Sequence, residues 1–584
     1  AMKEMDDGRF NKVANIIGQA MQFHPHGDAS IGDALVNMGQ KDLLIETQGN
    51  WGDVRTGDDA AAPRYIEARL SKFALEVAFN NKTTEWQLSY DGRKNEPVTL
   101  PMKFPLLLAQ GADGIAVGLS TKILPHNFIE LIDASIKHLR GKRFELYPDF
   151  QTGGMIDVAD YNNGKRGGKV KVRAHIEEVD KKTVSIKSVP YGVTTTQLME
   201  SIVKANDQGK IKIKKVIDNT AAEVEIQVDL APGISPDITI DALYKFTDCE
   251  VSISPNACVI VDQKPQFLGV QDLLRLSVDK TKDLLEQELK IKLNELQEKW
   301  HYTSLEKIFF EEKIYKELEK KHETWDKVLE AIDKAFVPFK KQLRRDITRE
   351  DIIKLTEKPV RRIYKLDIDE LNDQIKGLED DIKQVKFDLD NLVDYTVAYY
   401  ENLLKKFGKG RERKTEIKQF EVIEAKFVAI ANTKLFMNRA EGFIGTGLKK
   451  DEFLFECSDL DDIIVFAKRG IMKVVKVSDK TFIGKDILHA AVFQKNDERT
   501  TYNMIYLDGE TGKSFAKRFN VTGVTRDKEY DLTKGNDKSK VHYFSANANG
   551  EAEVVKVVLG NCTARIKEFD YYFEELEIKG RSSM

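Results

Sequence analysis

The pattern of hydrophobic and polar positions changes several times along the chain, and each change predicts a different kind of element. Between residues 1 and 120, short helical segments alternate with glycine-rich turns, and a helix of good helix formers is expected to begin near Ala60. From about 150 to 270 the apolar positions alternate, as in KVKVRAHIEEV and AEVEIQVDL. That period of two predicts antiparallel strands in a mixed α/β region.

Two long helices are predicted next. Within 275–300 one helical face carries Leu285, Leu289, Leu293, Leu296 and Trp300. A stronger repeat of apolar residues, spaced alternately four and three apart, predicts a coiled-coil seam: Leu371, Ile375, Leu378, Ile382, Val385, Leu389 and Leu392. We expect the two helices to pair as an antiparallel arm, with the helical segment of about 300–366 as its globular tip.

Beyond the arm, the segment KKFGKGRERK (405–414) is basic and contains two glycines, which predicts a linker. A merely solvated hinge is an equally weighted alternative. Later segments repeat a strand, a turn with glycine or asparagine, and a basic strand, and this repetition predicts propeller-like blades. Too few hairpins precede Met584 to close a propeller, so we expect an incomplete one with an open edge.

Composition adds limits to this picture. The 584 residues are 41% hydrophobic and 32% charged, which suits several soluble domains. Because the net charge is -4, any nucleic-acid site must be a local basic patch. Four cysteines lack metal-ligand spacing, and the chain has neither a long apolar run nor a signal peptide, so a cytoplasmic protein is expected. Its start at Ala1 reads as the middle of a folded region, which suggests that native N-terminal residues are missing.

Candidate chemistry begins in AAAPRYIEARLSKF, where Arg64 precedes Tyr65 and Arg69 is expected one helical turn further on. A phenol with a pKa near 10 needs a neighbouring cation, base or metal-bound phosphate to become a nucleophile. Simple packing of Tyr65 on its helix is the alternative. Upstream, His24 and His26 flank a proline in a loop before a helix, and a phosphate contact is favoured over zinc because no further Cys or His follows at ligand spacing.

Four motifs occur in order: HPHGD, TQGNWG, AAAPRY and GIAVGLSTKILPHN. Together they resemble the breakage subunit of bacterial type IIA topoisomerases, the gyrase and topoisomerase IV family. The resemblance covers nearly the whole chain and implies a multi-domain α+β fold. Its expected parts are a winged-helix-type breakage domain (1–120), a mixed α/β tower (121–274), an antiparallel coiled-coil arm (275–404) with a helical dimerisation tip (about 300–366), a basic linker (405–424) and a partial β-pinwheel (425–584).

The resemblance also implies roles for individual residues. Tyr65 would attack a DNA phosphorus and form a 5′-phosphotyrosyl link, with Arg64 stabilising the phosphoryl charge. His26, and also His24, would contact the DNA, with His26 nearer the chemistry. Ile123 would be the apolar wedge between base pairs; a buried isoleucine at a strand end is its alternative.

Cofactors are expected elsewhere. The chain has no GxxxxGK[ST] loop, and the acidic pair Asp367 and Asp369 begins the heptad helix, where a solvated face is the favoured interpretation. Mg²⁺ and ATP are therefore assigned to the ATPase subunit that would be its partner, and none to this chain alone. The implied partners are DNA, a second copy in a homodimer, and the topoisomerase IV B subunit in an A2B2 enzyme, in the bacterial cytoplasm at the nucleoid.

Departures from the family pattern refine these expectations. Ala29 replaces the usual drug-contacting serine while Asp33 keeps the acidic position, so quinolones held through magnesium should bind weakly. The terminal GRSSM departs from gyrase's QxRGGxG box, which favours topoisomerase IV over the gyrase A subunit. A non-catalytic coiled-coil DNA-tethering protein is a second alternative. Because the family's opening helix with its arginine and lysine is missing, the isolated chain is expected to cleave DNA poorly.

Overall fold

The computed structural model describes residues 1–25, 27–357, 368–421, 423, 433–560 and 565–580. Contacts divide the chain into two units. The first contains Ala1–Arg173, Pro190–Thr194 and Val251–Gln419, and the second contains Ala174–Val189, Thr195–Glu250 and Phe420–Met584. Contacts therefore group residues 121–173 with the first 120 residues, and the tower bounds of 121–274 stay a prediction. In the described residues, no helix has the length and apolar character needed to cross a membrane.

The N-terminal part of the first unit is built on a small antiparallel sheet in which β3 lies between β1 and β2. Helices α1 and α2 cover its inner face, where Val13, Ile17, Leu35 and Ile66 are buried together. The elements in this stretch are β1 (Asn11–Lys12), α1 (Val13–Ala20), α2 (Asp28–Gln40), β2 (Ile45–Gln48), β3 (Glu67–Leu70), α3 (Lys72–Val77), β4 (Trp86–Leu88) and β5 (Asn95–Pro97).

A second, larger core of the same unit forms around three aromatic rings: Phe73 lies edge-on to Phe104 at 5.1 Å and to Phe128 at 5.6 Å. Asn127 caps the helix that begins at Phe128 by accepting hydrogen bonds from the amides of Ile129 and Glu130. The elements here are α4 (Leu106–Gln110), β6 (Ala112–Ala116), β7 (Leu119–Ile123), α5 (Phe128–Leu139), β8 (Met155–Asp157) and β9 (Val170–Arg173).

Period-two alternation between 150 and 270 correctly predicted strands. The second unit contains a four-stranded antiparallel sheet in the order β10-β11-β13-β12. Buried Val184, Ile186, Ile226 and Val228 line its inner face. The elements are β10 (Ile176–Asp180), β11 (Thr183–Ile186), α6 (Thr195–Asp207), β12 (Ile213–Asp218), β13 (Ile226–Leu230), α7 (Pro236–Phe246) and, returning to the first unit, β14 (Glu250–Ile253).

The two long predicted helices are present and pack against each other. They are α8 (Val270–Glu311) and α11 (Ile368–Asp390), and the elements around them are β15 (Cys258–Val261), β16 (Lys264–Phe267), α9 (Trp325–Phe336), α10 (Arg349–Thr356), α12 (Leu392–Phe407) and β17 (Glu416–Ile417). Trp300 of α8 packs with Leu378 and Ile382 of α11. The predicted heptads cross a break at Asn391. Between the long helices, α9 and α10 enclose their own core with the end of α8.

The predicted linker is largely folded. Its first three residues are the last residues of α12. Residues 408–419, which we call the strap, pack against other parts of the first unit. Arg413 forms a two-bond ion pair with Glu130 at 2.6 Å, and β17 pairs in parallel with β8. These contacts contradict the alternative of a solvated hinge, whereas the linker over 405–424 stays a prediction. Residues 422 and 424–432 lie outside the described part.

Strand–turn–strand repeats fill the C-terminal part of the second unit, as predicted. Four-stranded sheets have the orders β20-β18-β19-β23, β24-β21-β22-β27 and β28-β25-β26-β31, beside a β29-β30 hairpin. The strands are β18 (Thr433–Asn438), β19 (Phe443–Gly445), β20 (Glu452–Cys457), β21 (Asp462–Ala467), β22 (Ile471–Lys476), β23 (Thr481–Phe482), β24 (Ile487–Val492), β25 (Thr501–Leu507), β26 (Ser514–Asn520), β27 (Glu529–Asp531), β28 (Lys540–Asn547), β29 (Val554–Val558), β30 (Glu568–Tyr572) and β31 (Lys579–Gly580). Whether the sheets form a pinwheel stays a prediction.

Candidate active site at Tyr65

Tyr65 lies in a turn, and the helix predicted to begin near Ala60 is absent. Its amide donates a hydrogen bond to the Ala62 carbonyl at 2.8 Å, and β3 begins two residues later. The next side chain, Ile66, is buried in the core of the small sheet, whereas Tyr65 itself is 63% exposed. The turn therefore presents the phenol to solvent while the following residue anchors it.

One side of this turn is held by the start of α1. The Val13 amide donates to the Ile66 carbonyl at 3.0 Å, and the Ala14 amide donates to the Pro63 carbonyl at 3.1 Å. The first amides of a helix have no partner within the helix, so these two are available for such contacts. The carbonyls that flank Arg64 and Tyr65 are thus both fixed by one helix end.

The other side of the turn is held by the TQGNWG motif. Gly49 has φ +95°, and a Cβ there would lie 3.1 Å from the Ile66 side chain and 3.5 Å from the Tyr65 carbonyl. Only glycine allows this close approach without strain. The Ala61 amide donates to the Asn50 carbonyl at 2.9 Å, and the Trp51 ring is buried behind the loop. The motif thus supports the tyrosine turn from β2.

Arg64 is the cation beside the phenol. Its guanidinium carbon lies 4.6 Å from the centroid of the Tyr65 ring, and both side chains are exposed. Arg69 does not supply a second cation beside the phenol, because it lies in β3 and not one helical turn beyond Tyr65. Its guanidinium pairs with Glu46 at 2.6 Å and lies 4.4 Å from the Phe10 ring.

The predicted histidine loop precedes α2. The amide of His24, whose side chain is exposed, donates to the Ala20 carbonyl at 3.0 Å at the end of α1. His26 lies outside the described residues. Helix α2 begins at Asp28, as expected for a helix near Ser30. Ala29 and Asp33, the predicted drug-pocket positions, are one turn apart on its exposed face.

The proposed wedge residue must be corrected. Ile123 is only 3% exposed and packs in the larger core at the base of the β6–β7 hairpin. Near the tip of that hairpin, Ile115 is 91% exposed and Val117 is fully exposed. The motif GIAVGLSTKI contained this information, because its second glycine, Gly118, has φ +75° and marks the turn.

Metal ligands do not gather in the described part of the chain, where no group of three or more His, Cys, Asp or Glu residues could hold an ion. Asp369 is in the first turn of α11, and Asp367 lies outside the described residues. His126 is a buried structural group: its ring bonds the Leu108 carbonyl and the Tyr161 hydroxyl, and burial lowers its pKa to about 4. The site offers an exposed phenol and a neighbouring cation.

Family models of known proteins match two successive parts of the chain. The family model for the A subunit of DNA gyrase/topoisomerase IV matches residues 1–401, and a Bacteroidota topoisomerase C-terminal domain matches 434–584. The A subunit of DNA topoisomerase 4 from Borreliella burgdorferi is 39% identical over 92% of the chain and 85% of its own length.

Gyrase A subunits are also similar. That of Lawsonia intracellularis is 35% identical over 50% of the chain and 38% of its own length. That of Brachyspira hyodysenteriae is 27% identical over 82% of the chain and 62% of its own length. The chain thus spans less than two thirds of either gyrase protein.

Proposed function

The chain belongs to the A-subunit family of DNA gyrase and topoisomerase IV, and from that premise we propose that it is the breakage-and-reunion subunit of a topoisomerase IV, with Tyr65 as its nucleophile. The observation that carries the proposal is the exposed Tyr65, held on a supported turn with the Arg64 guanidinium 4.6 Å from its ring. Such a subunit cuts one duplex, lets another pass, and reseals the cut.

The chemistry is a transesterification. The Tyr65 Oη loses its proton and attacks a backbone phosphorus, the bond from phosphorus to the 3′-oxygen breaks, and the leaving oxygen takes up a proton as a 3′-hydroxyl. The product is a 5′-phosphotyrosyl link whose bond energy is retained, so the reverse attack reseals the strand without ATP. Arg64 would stabilise the negative charge that develops on the phosphoryl oxygens.

Further DNA contacts are assigned around this centre. We propose that His26, supported by His24, hydrogen-bonds the DNA backbone and assists proton movement. The hairpin tip with Ile115 and Val117 replaces Ile123 as the candidate wedge, because an apolar side chain must project from the surface to enter a base step. The exposed Ala29 lacks the hydroxyl expected of a drug-contacting serine, which supports weak quinolone binding.

Assembly follows from the reaction. A double-strand break needs one tyrosine for each strand, so we propose a homodimer whose protomers meet at the arm tip. The exposed Trp325 and Val337 in that segment support this location. Mg²⁺ and ATP would be supplied by the B subunit in an A2B2 enzyme.

The domain names are part of the same proposal. The small sheet with α1 and α2 is assigned as a winged-helix-type domain, the β10-β11-β13-β12 sheet as the tower, α8 with α11 as the coiled-coil arm, and the sheets of 433–580 as a partial DNA-binding β-pinwheel. The A subunit of gyrase remains the second candidate, because its members are also similar to this chain.

The decisive experiment combines the chain with a B subunit, Mg²⁺ and supercoiled plasmid, followed by detergent and protease. Linear DNA with a peptide on its 5′ end is expected for wild type and should disappear in Tyr65→Phe. Tyr90→Phe is a matched control because Tyr90 is 59% exposed in the same unit. If neither wild type nor control forms an adduct while DNA binding persists, the tethering alternative replaces the proposal.

A further inference from the structure

The outer face of the small sheet carries a second cation close to the tyrosine turn. Lys12 ends β1, immediately before the helix whose first amides bond the carbonyls around Tyr65. The register of β1 and β3 sets Lys12 opposite Glu67, and its Nζ lies 2.7 Å from the Glu67 Oε1. Neither the predicted site residues nor the comparisons assign Lys12 a role.

Backbone contacts place Lys12 beside the tyrosine turn. Tyr65 and Glu67 are two residues apart, and the buried side chain between them, Ile66, points to the core. The Val13 amide, directly after Lys12, donates to the Ile66 carbonyl at 3.0 Å, so the Lys12 backbone lies beside the residue that follows Tyr65. The lysine ammonium is carried on a flexible four-carbon stem, so it can take more than one position around this backbone. Lys12 can thus extend either to Glu67 or toward a group bound at Tyr65.

Exchanging Glu67 for a phosphate should cost Lys12 little free energy, because the present ion pair is weak. Lys12 and Glu67 form a surface pair, with the lysine side chain 46% exposed, and pairs of this kind are weak. Arg69 is already held by Glu46. A phosphodiester at Tyr65 carries a negative charge that grows during attack, so it is a stronger partner for the Lys12 ammonium than the solvated Glu67 carboxylate.

We propose that Lys12 is a second DNA-phosphate contact of the cleavage site, released from Glu67 when DNA binds. This inference rests on the proposed function and deepens it. Glu67 holds the lysine in position while DNA is absent, so the pair acts as a positioning device for a cation that the reaction uses.

The test measures DNA affinity against salt concentration in the Tyr65→Phe background, where no strand is cut. Removing one phosphate contact should reduce the slope of log K against log salt by about 0.9. Lys12→Gln is expected to show that loss, and Lys12→Arg to restore the slope. Lys137→Gln is the matched control, because Lys137 is 44% exposed and pairs with Asp133 at 2.6 Å. An unchanged slope in folded Lys12→Gln would overturn the proposal.

A second variant separates phosphate binding from a purely structural ion pair. Glu67→Gln frees the lysine, so it should keep the wild-type slope and bind DNA at least as tightly. If Glu67→Gln and Lys12→Gln weaken binding equally, the pair is structural and the proposal fails. With Tyr65 intact, adduct formation should slow about tenfold in Lys12→Gln. If adducts persist in Tyr65→Phe, the proposed nucleophile fails instead, so the two failures are distinguishable.

Discussion

Arg413 should control how firmly the strap is attached to the first unit. Its guanidinium donates two hydrogen bonds to Glu130 and one each to the carbonyls of Pro148 and Tyr147, at 2.6–3.0 Å. Beside it, the Asp149 carboxylate accepts the next two backbone amides at 2.9–3.0 Å. Replacing Arg413 with alanine removes the side-chain bonds but leaves these backbone bonds in place.

The expected cost follows from those bonds. Intramolecular hydrogen bonds contribute about 0.5–1.5 kcal/mol each, and the lower end applies because water can replace the lost donor at the partly exposed Glu130. Four bonds then give about 2 kcal/mol of local stability. Since 1.4 kcal/mol is a factor of ten, the strap should open roughly 30-fold more often in the Arg413→Ala variant.

Hydrogen exchange measures this opening directly. The amides of Glu416 and Lys418 donate to carbonyls of Gly154 and Ile156 at 2.9 Å, so they exchange only when the strap detaches. Their exchange should accelerate about 30-fold in Arg413→Ala, whereas Arg349→Ala, which removes an exposed pair in the tip, should leave it unchanged. Protection in Arg413→Ala that equals wild type would refute the assignment of strap stability to this side chain.

Other substitutions test the remaining assignments. Burial lowers the His126 pKa to about 4, so as the pH falls the unfolded chain takes up a proton before the folded chain does. The free energy of unfolding should therefore fall by up to roughly 3 kcal/mol between pH 6.5 and pH 4. Calorimetry should find this pH dependence missing in His126→Gln. Gly52→Ala places a Cβ 2.4 Å from the Asp58 carbonyl oxygen at a residue with φ +75°. Gly8→Ala is the control, because Gly8 has φ +80° but open space around it. In urea unfolding, the free energy of unfolding should fall by at least about 2 kcal/mol more in Gly52→Ala than in Gly8→Ala. Ile123→Ala should cost about 2–5 kcal/mol on thermal unfolding, whereas Ile115→Ala should keep stability and reduce DNA bending measured by fluorescence transfer; a stability loss at Ile115 would contradict its exposure.

Local periodicity explains what the sequence predicted well. The heptads that include Leu378 and Ile382 repeat over several turns, and those residues do pack against Trp300. Period-two alternation likewise identified β9, β10, β11 and β13. In both cases one face of a continuous helix or strand is buried, so the spacing of apolar residues along the sequence is enough to predict the element.

Long-range contacts explain the errors. IEARLSKFALEV contains good helix formers, yet its first residues pair with β1 and β2, and that pairing overrides helix propensity. The composition of the strap resembles a linker, but Arg413 bonds Glu130 across 283 positions of sequence. Ile115 and Ile123 belong to one hairpin, and only its three-dimensional course decides that one is exposed and the other buried. The motifs pointed to Tyr65 as the proposed nucleophile without showing what supports its turn.

If Tyr65 is the nucleophile we propose, the support of its turn has a consequence for a reversible break. Resealing requires the 3′-hydroxyl to meet the same phosphorus again, so the phosphotyrosyl group must stay within a narrow range of positions while the DNA ends separate. A tyrosine on an unsupported loop would allow the phosphorus to move away from the 3′-hydroxyl. Here α1 fixes the carbonyls of Pro63 and Ile66, and Gly49 packs against the same turn. The phenol is therefore exposed while its backbone is held from both sides, and an exposed side chain on a supported turn is the arrangement that reversible cleavage requires.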